Sequence, residues 1–177
     1  MKKILAFGAS NSKNSINKML AYYAANQLNN VDKTLIDLND FDMPVYGIDR
    51  EHENGIPALA KQFKLLVKDS DGIIISFAEH NGNFSVAFKN VMDWMSRLEG
   101  KIWENKKMFV LATSPGARGG KSALEIALNT LPHRAADIVA NFSLPSFKNN
   151  FSEEEGITDP ELKTEFENQL KAFESSL

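Results

Sequence analysis

At 177 residues, with 43% apolar residues and a formal net charge of −3, the chain has the size and balance to bury a full core, and one domain spanning 1–177 is expected. The absence of cysteine excludes disulfides, zinc–thiolate sites, cysteine nucleophiles and dithiol redox chemistry, so any redox work falls to a cofactor. Basic residues are few and scattered, which argues against a nucleic-acid surface, and no apolar run approaches the roughly 18 residues of a membrane span. Met1-Lys2-Lys3 leads directly into a strand with no small-residue cleavage site, so the chain reads as cytoplasmic.

Ile4 to Phe7 form an apolar run long enough for a buried strand and too short for a core helix. Gly8 breaks it, and Ser10, Asn11, Ser12, Asn14, Ser15 and Asn17 crowd the loop that follows. A helix is predicted over 15–28, carried by Ile16, Met19, Leu20, Tyr23, Ala24 and Leu28. Lys33 to Asp37 reads as a short strand. Leu38 to Asn54, with Pro44 and Gly47, is loop-like and long enough to carry function or a local turn. A second helix is predicted over 56–68, with Pro57 in its first turn.

Asp71 to Phe77 is a strand apolar on successive residues, as central parallel strands are. It ends in the polar loop Ala78-Glu79-His80-Asn81-Gly82-Asn83. Ser85 to Leu98 is helical, with Val86, Phe88, Val91, Met92, Trp94 and Met95 predicted inward. Lys107 to Thr113 is a further buried strand, running into Ser114-Pro115-Gly116-Ala117-Arg118-Gly119-Gly120. A helix over 121–131, a strand over 136–143 and a charged terminal helix over 159–173 complete the chain.

Strands alternating with helices imply an α/β three-layer sandwich with right-handed crossovers. Five strands fit the flavodoxin-like parallel sheet of order 2-1-3-4-5, whose ligand crevice lies beyond the carboxyl ends of strands 1, 3 and 4. The three polar loops follow those three strands, which predicts one site. In the first loop, strand, polar turn and helix start bring backbone amides and a helix dipole onto an anion, with serine and asparagine side chains as further donors. The plainer alternative for any single serine there is a βα turn ending in an N-cap. The loop is neither a Walker loop nor a dinucleotide fingerprint, since Gly8 is followed by no second glycine before Gly47.

The three loops resemble those of the NAD(P)H-dependent FMN reductase family, the flavodoxin-like reductases that include quinone, azo-dye and chromate reductases. The first is similar to the family's Gly-Ser-x-Arg-x-x-Ser-x-Asn phosphate motif, with Ser10, Ser15 and Asn17 in register. Glu79-His80-Asn81-Gly82, followed by Lys89-Asn90, Asp93-Trp94 and Ser96-Arg97, is similar to its Pro-Glu-Tyr-Asn loop and the helix after it. Ser114 to Gly120 resembles its glycine-rich loop along the flavin.

The resemblance implies FMN as cofactor and NAD(P)H as co-substrate, with hydride passing through the flavin to a quinone-like, azo or other small acceptor. It assigns Ser10, Ser12, Ser15, Ile16 and Asn17 to the phosphate, Ala78, Glu79, His80, Asn81 and Gly82 to one edge of the ring, and Ser114, Pro115, Gly116 and Gly119 to the other. Arg118 and His80 become candidates for NAD(P)H or substrate contact. No side chain is expected to be an indispensable acid or base, and no metal is expected. Two readings of Glu79 stand: it bonds neighbouring loop amides, or it takes part in chemistry. Asn90 is expected to fix its helix to a loop, and Trp94 to lie in the core or an interface. Phe41 to Tyr46 would cap a partner's site in a homodimer or tetramer. Ser12 stands where the family usually has Arg, Ala78 where it has Pro, His80 where it has Tyr, and Ser85-Val86 where Pro-Gly is common. Two alternatives remain at this level: a flavodoxin-type electron carrier, and a flavin-free binding protein on the same fold.

Overall fold

The computed structural model describes residues 1–177. In chain order the elements are β1 (Lys2–Ala9), α1 (Ile16–Gln27), β2 (Val31–Leu35), a 3-10 turn (Leu38–Phe41), α2 (Ile48–Asn54), α3 (Ala58–Asp69) and β3 (Gly72–Phe77). There follow β4 (Glu79–His80), β5 (Asn83–Phe84), α4 (Val86–Met95), β6 (Lys106–Thr113), α5 (Lys121–Thr130), a 3-10 turn (Pro132–Arg134) and β7 (Ala136–Leu144). A short α6 (Phe147–Asn150), the two-residue strands β8 (Phe151–Ser152) and β9 (Gly156–Ile157), and α7 (Pro160–Ser176) close the chain.

The main sheet has the order β2-β1-β3-β6-β7 and is parallel throughout, which is the predicted order once only its own strands are counted. Strand alternation divides the core into two layers. Leu5, Phe7, Ile73, Ile75, Phe77, Met108 and Val110 pack with Phe63 and Val67 of α3, Phe88 and Trp94 of α4, and Trp103. Ile4, Ala6, Ile74, Phe109 and Leu111 pack with Leu20 and Ala21 of α1 and Phe166 and Phe173 of α7. No helix is long and apolar enough to cross a membrane.

Several local expectations are corrected. The stretch 38–54 is not one loop. Asp37 accepts the Asn39 amide at 3.0 Å and starts a 3-10 turn, Phe41 and Met43 are buried, and α2 follows. Each piece is too short to show a helical period. Val86 is 71% exposed instead of inward. Lying two residues before Phe88, it falls about 200° round the helix from the buried face. Phe41 packs edge-on against Phe63 of its own core, so it is not free to cap a partner. Asn90 does fix its helix to a loop, and that loop is 43–46: it accepts from the Tyr46 amide at 2.8 Å and donates to the Met43 carbonyl at 3.0 Å. Trp94 is core, 1% exposed, with its Nε1 donating to the Pro44 carbonyl.

Candidate functional site

The carboxyl ends of β1, β3 and β6 carry the three loops. In the first, Gly8 is a steric requirement: a Cβ there would stand 2.4 Å from the Lys18 amide nitrogen and 2.6 Å from its Cα. The bare glycine lets the start of α1 close onto β1. Ser15 is the N-cap, accepting the Lys18 amide at 3.1 Å, and the Ser10 hydroxyl accepts the Ser12 amide at 3.1 Å. Ile16 and Asn17 contribute the amides that a helix start leaves without intrahelical partners. Lys18 donates to Asp37 at 2.5 Å and to the Lys13 carbonyl at 3.1 Å, tying the loop to the end of β2. Burial pushes the Asp37 carboxyl up, and the hydrogen bonds from Lys18 and Asn39 outweigh it, leaving the group below its ordinary value.

In the second loop β4 and β5 form a two-residue hairpin, with Asn81 and Gly82 at φ 54° and 74°. Positive φ at both central residues is the type I′ turn that Asn-Gly favours. His80, Asn81 and Gly82 stand exposed at its tip, while Ala78 is buried beneath. Glu79 turns away from the tip: its carboxylate accepts the amides of Ser122 at 2.9 Å and Ala123 at 3.3 Å, in the first turn of α5. It does bond amides, and they belong to that helix instead of its own loop. A carboxylate at a helix start is favoured by free N–H groups and by the dipole.

The third loop keeps Ser114 half-buried and Pro115, Gly116 and Arg118 exposed along the rim. A Cβ on Gly116 would meet nothing nearer than the Ser114 hydroxyl at 4.0 Å, so this glycine borders open space. Gly119 does not. At φ +59°, its missing Cβ would lie 2.5 Å from the Ser143 hydroxyl and 2.9 Å from the Pro145 nitrogen. The bareness of Gly119 admits the end of β7. Arg118 donates to the Ser122 hydroxyl at 2.6 Å, on the same turn of α5 that Glu79 caps.

Beneath the loops lies a polar network within apolar strands. Asn17 is 3% exposed, Ser76 0% and Thr113 1%. Asn17 Oδ1 accepts the Ser76 hydroxyl at 2.7 Å and the Thr113 amide at 3.0 Å, and Nδ2 donates to the Thr113 carbonyl at 3.1 Å. Sequence reasoning missed Ser76 and Thr113. Their signal was a single hydroxyl at or next to the carboxyl end of each strand's apolar run.

One cavity of about 270 Å³ joins the loops, lined by Ser10, Ser12, Asn14, Ser15, Ile16 and Asn17 of the first, Ala78, Glu79 and His80 of the second, and Thr113, Ser114 and Pro115 of the third. A larger groove, about 860 Å³, runs along α1 beneath the 151–157 hairpin and is lined by charged side chains and Tyr22 and Tyr23. It receives no residue from the loops after β3 and β6, so the smaller cavity is the candidate site. Over residues 2–149 the sequence matches the model of the NADPH-dependent FMN reductases. The chain belongs to that family.

Relatives of this chain include a quinone reductase of Escherichia coli (strain K12), 32% identical over 79 residues, which are 45% of this chain and 42% of that one. An NADPH azoreductase of Bacillus sp. (strain OY1-2) is 32% identical over 107 residues, 60% of this chain and 55% of that one. The chain thus spans less than half the length of the quinone reductases it matches. Among solved structures, the flavoenzyme NAD(P)H:(acceptor) oxidoreductase FerB of Paracoccus denitrificans superposes with a TM-score of 0.76 at 23% identity, covering 99% of this chain and 96% of that one. At that identity the likeness establishes the shared fold. The donor set of the cavity fits the cofactor in the family's name: hydroxyls and helix-start amides suit a phosphate, and Gly116, next to the lining residue Pro115, borders open space.

Proposed function

We propose that this chain is an NAD(P)H-dependent, FMN-containing oxidoreductase that reduces a small quinone-like or azo acceptor. The observation that carries the reading is the meeting of the loops after β1, β3 and β6 around one cavity at the start of α1. Ser10, Ser12 and Ser15, with the amide of Ile16, hold the phosphate. The 79–82 hairpin and Ser114 to Gly116 flank the ring, and Arg118 and His80 contact NAD(P)H or the acceptor at the rim. The chemistry FMN supplies when bound is two-electron transfer between nicotinamide and acceptor. The protein's task is to bind, orient and leave one ring face open. Glu79, whose carboxylate is engaged by α5, donates no proton to the reaction.

The functional unit on this reading is one flavin-binding domain, residues 1–177, working in the cytoplasm as a homodimer or tetramer. The test is a visible spectrum of the purified protein with and without added FMN, followed by anaerobic NADPH. A flavin band that bleaches is expected. A band that persists would make the protein a flavodoxin-type carrier, and no band in excess FMN would make it a flavin-free binding protein.

A further inference from the structure

We propose that the Asn17 side chain is a positioning group that sets the geometry of all three loops instead of holding the flavin phosphate. The proposal rests on the FMN reading of the site and deepens it.

β3 and β6 pair in parallel register from Gly72↔Lys107 to Phe77↔Ala112. Beyond Phe77 the chain leaves the sheet to build the second loop, while β6 runs one residue further, to Thr113. In a parallel sheet the N–H and C=O of one residue point toward the same neighbour. Thr113 presents both toward the place β3 has vacated, and both meet the Asn17 carboxamide, at 3.0 and 3.1 Å. The side-chain amide therefore continues the β3–β6 ladder by one step in place of a peptide group. Its oxygen also accepts the hydroxyl of Ser76, the residue before Phe77. Thr113 extends the chain of bonds by donating its own hydroxyl to the Leu144 carbonyl at 2.7 Å.

The consequence is a shared anchor. Asn17 lies in the first turn of α1, just after the first loop, Ser76 stands two residues before the second, and Thr113 immediately precedes the third. All three are buried, so a missing partner leaves polar groups unpaired away from water. Asn17 has its oxygen doubly engaged and its nitrogen engaged once within the protein. Its oxygen is committed to the strands, one Nδ2 hydrogen is left over, and the comparison of FMN with riboflavin decides whether that hydrogen meets the phosphate.

The experiment compares affinities for FMN and for riboflavin, which lacks the phosphate. A phosphate ligand affects FMN alone, whereas a positioning residue affects both equally. Asn17→Ala is expected to weaken both by the same factor, about tenfold or more. Ser12→Ala, at the exposed loop, is expected to weaken FMN and spare riboflavin. Ser76→Ala removes one bond of the network and is the milder variant should Asn17→Ala not fold; an equal, smaller loss for both flavins is expected. Loss of FMN affinity with riboflavin affinity intact in Asn17→Ala, or no change for either flavin in Ser76→Ala, would overturn the proposal. Amide hydrogen exchange of the flavin-free protein provides the second measurement. In Ser76→Ala, faster exchange at Thr113 and across both the 78–82 and 114–118 loops is expected, and unchanged exchange there would overturn the anchor. If the wild type binds neither flavin, the FMN reading fails while the exchange experiment still decides the role of Asn17.

Discussion

The carboxylate of Glu79 lies 2.9 Å from the backbone amide of Ser122, 43 residues further along the chain. One side chain thereby fastens the hairpin after β3 to the helix after β6, across the mouth of the candidate site. Replacing Glu79 by Ala removes a charged acceptor from the α5 start, and a stability loss of about 1 kcal/mol is expected in urea melts. Turnover of a quinone is expected to persist, because the carboxylate is spent on α5. A Glu79→Ala protein with full flavin content and no turnover would contradict this assignment.

Glycines at the site separate into structural and open positions. Gly8→Ala places a methyl within 2.4–2.8 Å of the Asn17 and Lys18 backbone, which cannot yield as a side chain would. A loss of about 3 kcal/mol is expected. Gly116→Ala meets only a hydroxyl at 4.0 Å and should change stability by less than about 0.5 kcal/mol. Any weakening of FMN binding in Gly116→Ala then reports the ring itself, which a flavin titration beside a thermal melt would reveal.

Acid sensitivity is expected from two ion pairs. Lys64 is buried and lies 2.6 Å from Glu104, also donating to the carbonyls of Lys101 and Ile102. The Lys64 hydrogen bond holds the Glu104 carboxyl below its ordinary value against the opposing effect of burial, and Asp37 is likewise held down in its contact with Lys18. A carboxyl whose value is lower in the folded state binds fewer protons there than when unfolded. Its contribution is present above the ordinary carboxylate range and is lost as pH falls through the folded value. The melting temperature should therefore drop below about pH 5. Glu104→Gln should lose about 1 kcal/mol at neutral pH and show a shallower acid slope. An unchanged slope would remove this pair as a cause.

Ser12 offers a gain-of-function test. It is exposed on the first loop, where Lys18 is already committed to Asp37. Ser12→Arg adds a cation able to pair bidentately with a phosphate and should tighten FMN about tenfold. The gain should shrink in high salt, since an exposed charge pair is screened. Riboflavin affinity should stay unchanged, and an equal gain for riboflavin would place the new contact away from the phosphate.

The apolar runs at Ile4–Phe7, Asp71–Phe77 and Lys107–Thr113 determined the parallel sheet by themselves, because strands buried on both faces must be apolar on successive residues. With the order of the strands, those runs also placed three polar loops at one end, and so the site. The tertiary structure alone decided what individual residues do there. Asn17 reads locally as one more polar loop residue, yet its partners lie 59 and 96 positions away. Glu79 looks like a rim carboxylate until α5 arrives to claim it, and only the packed structure shows that the end of β7 lies against the bare side of Gly119. Local periodicity reports which face of an element is apolar. It carries no information about which distant backbone group will be left without a partner where a strand ends. That deficit, at Thr113, is what gives Asn17 its work.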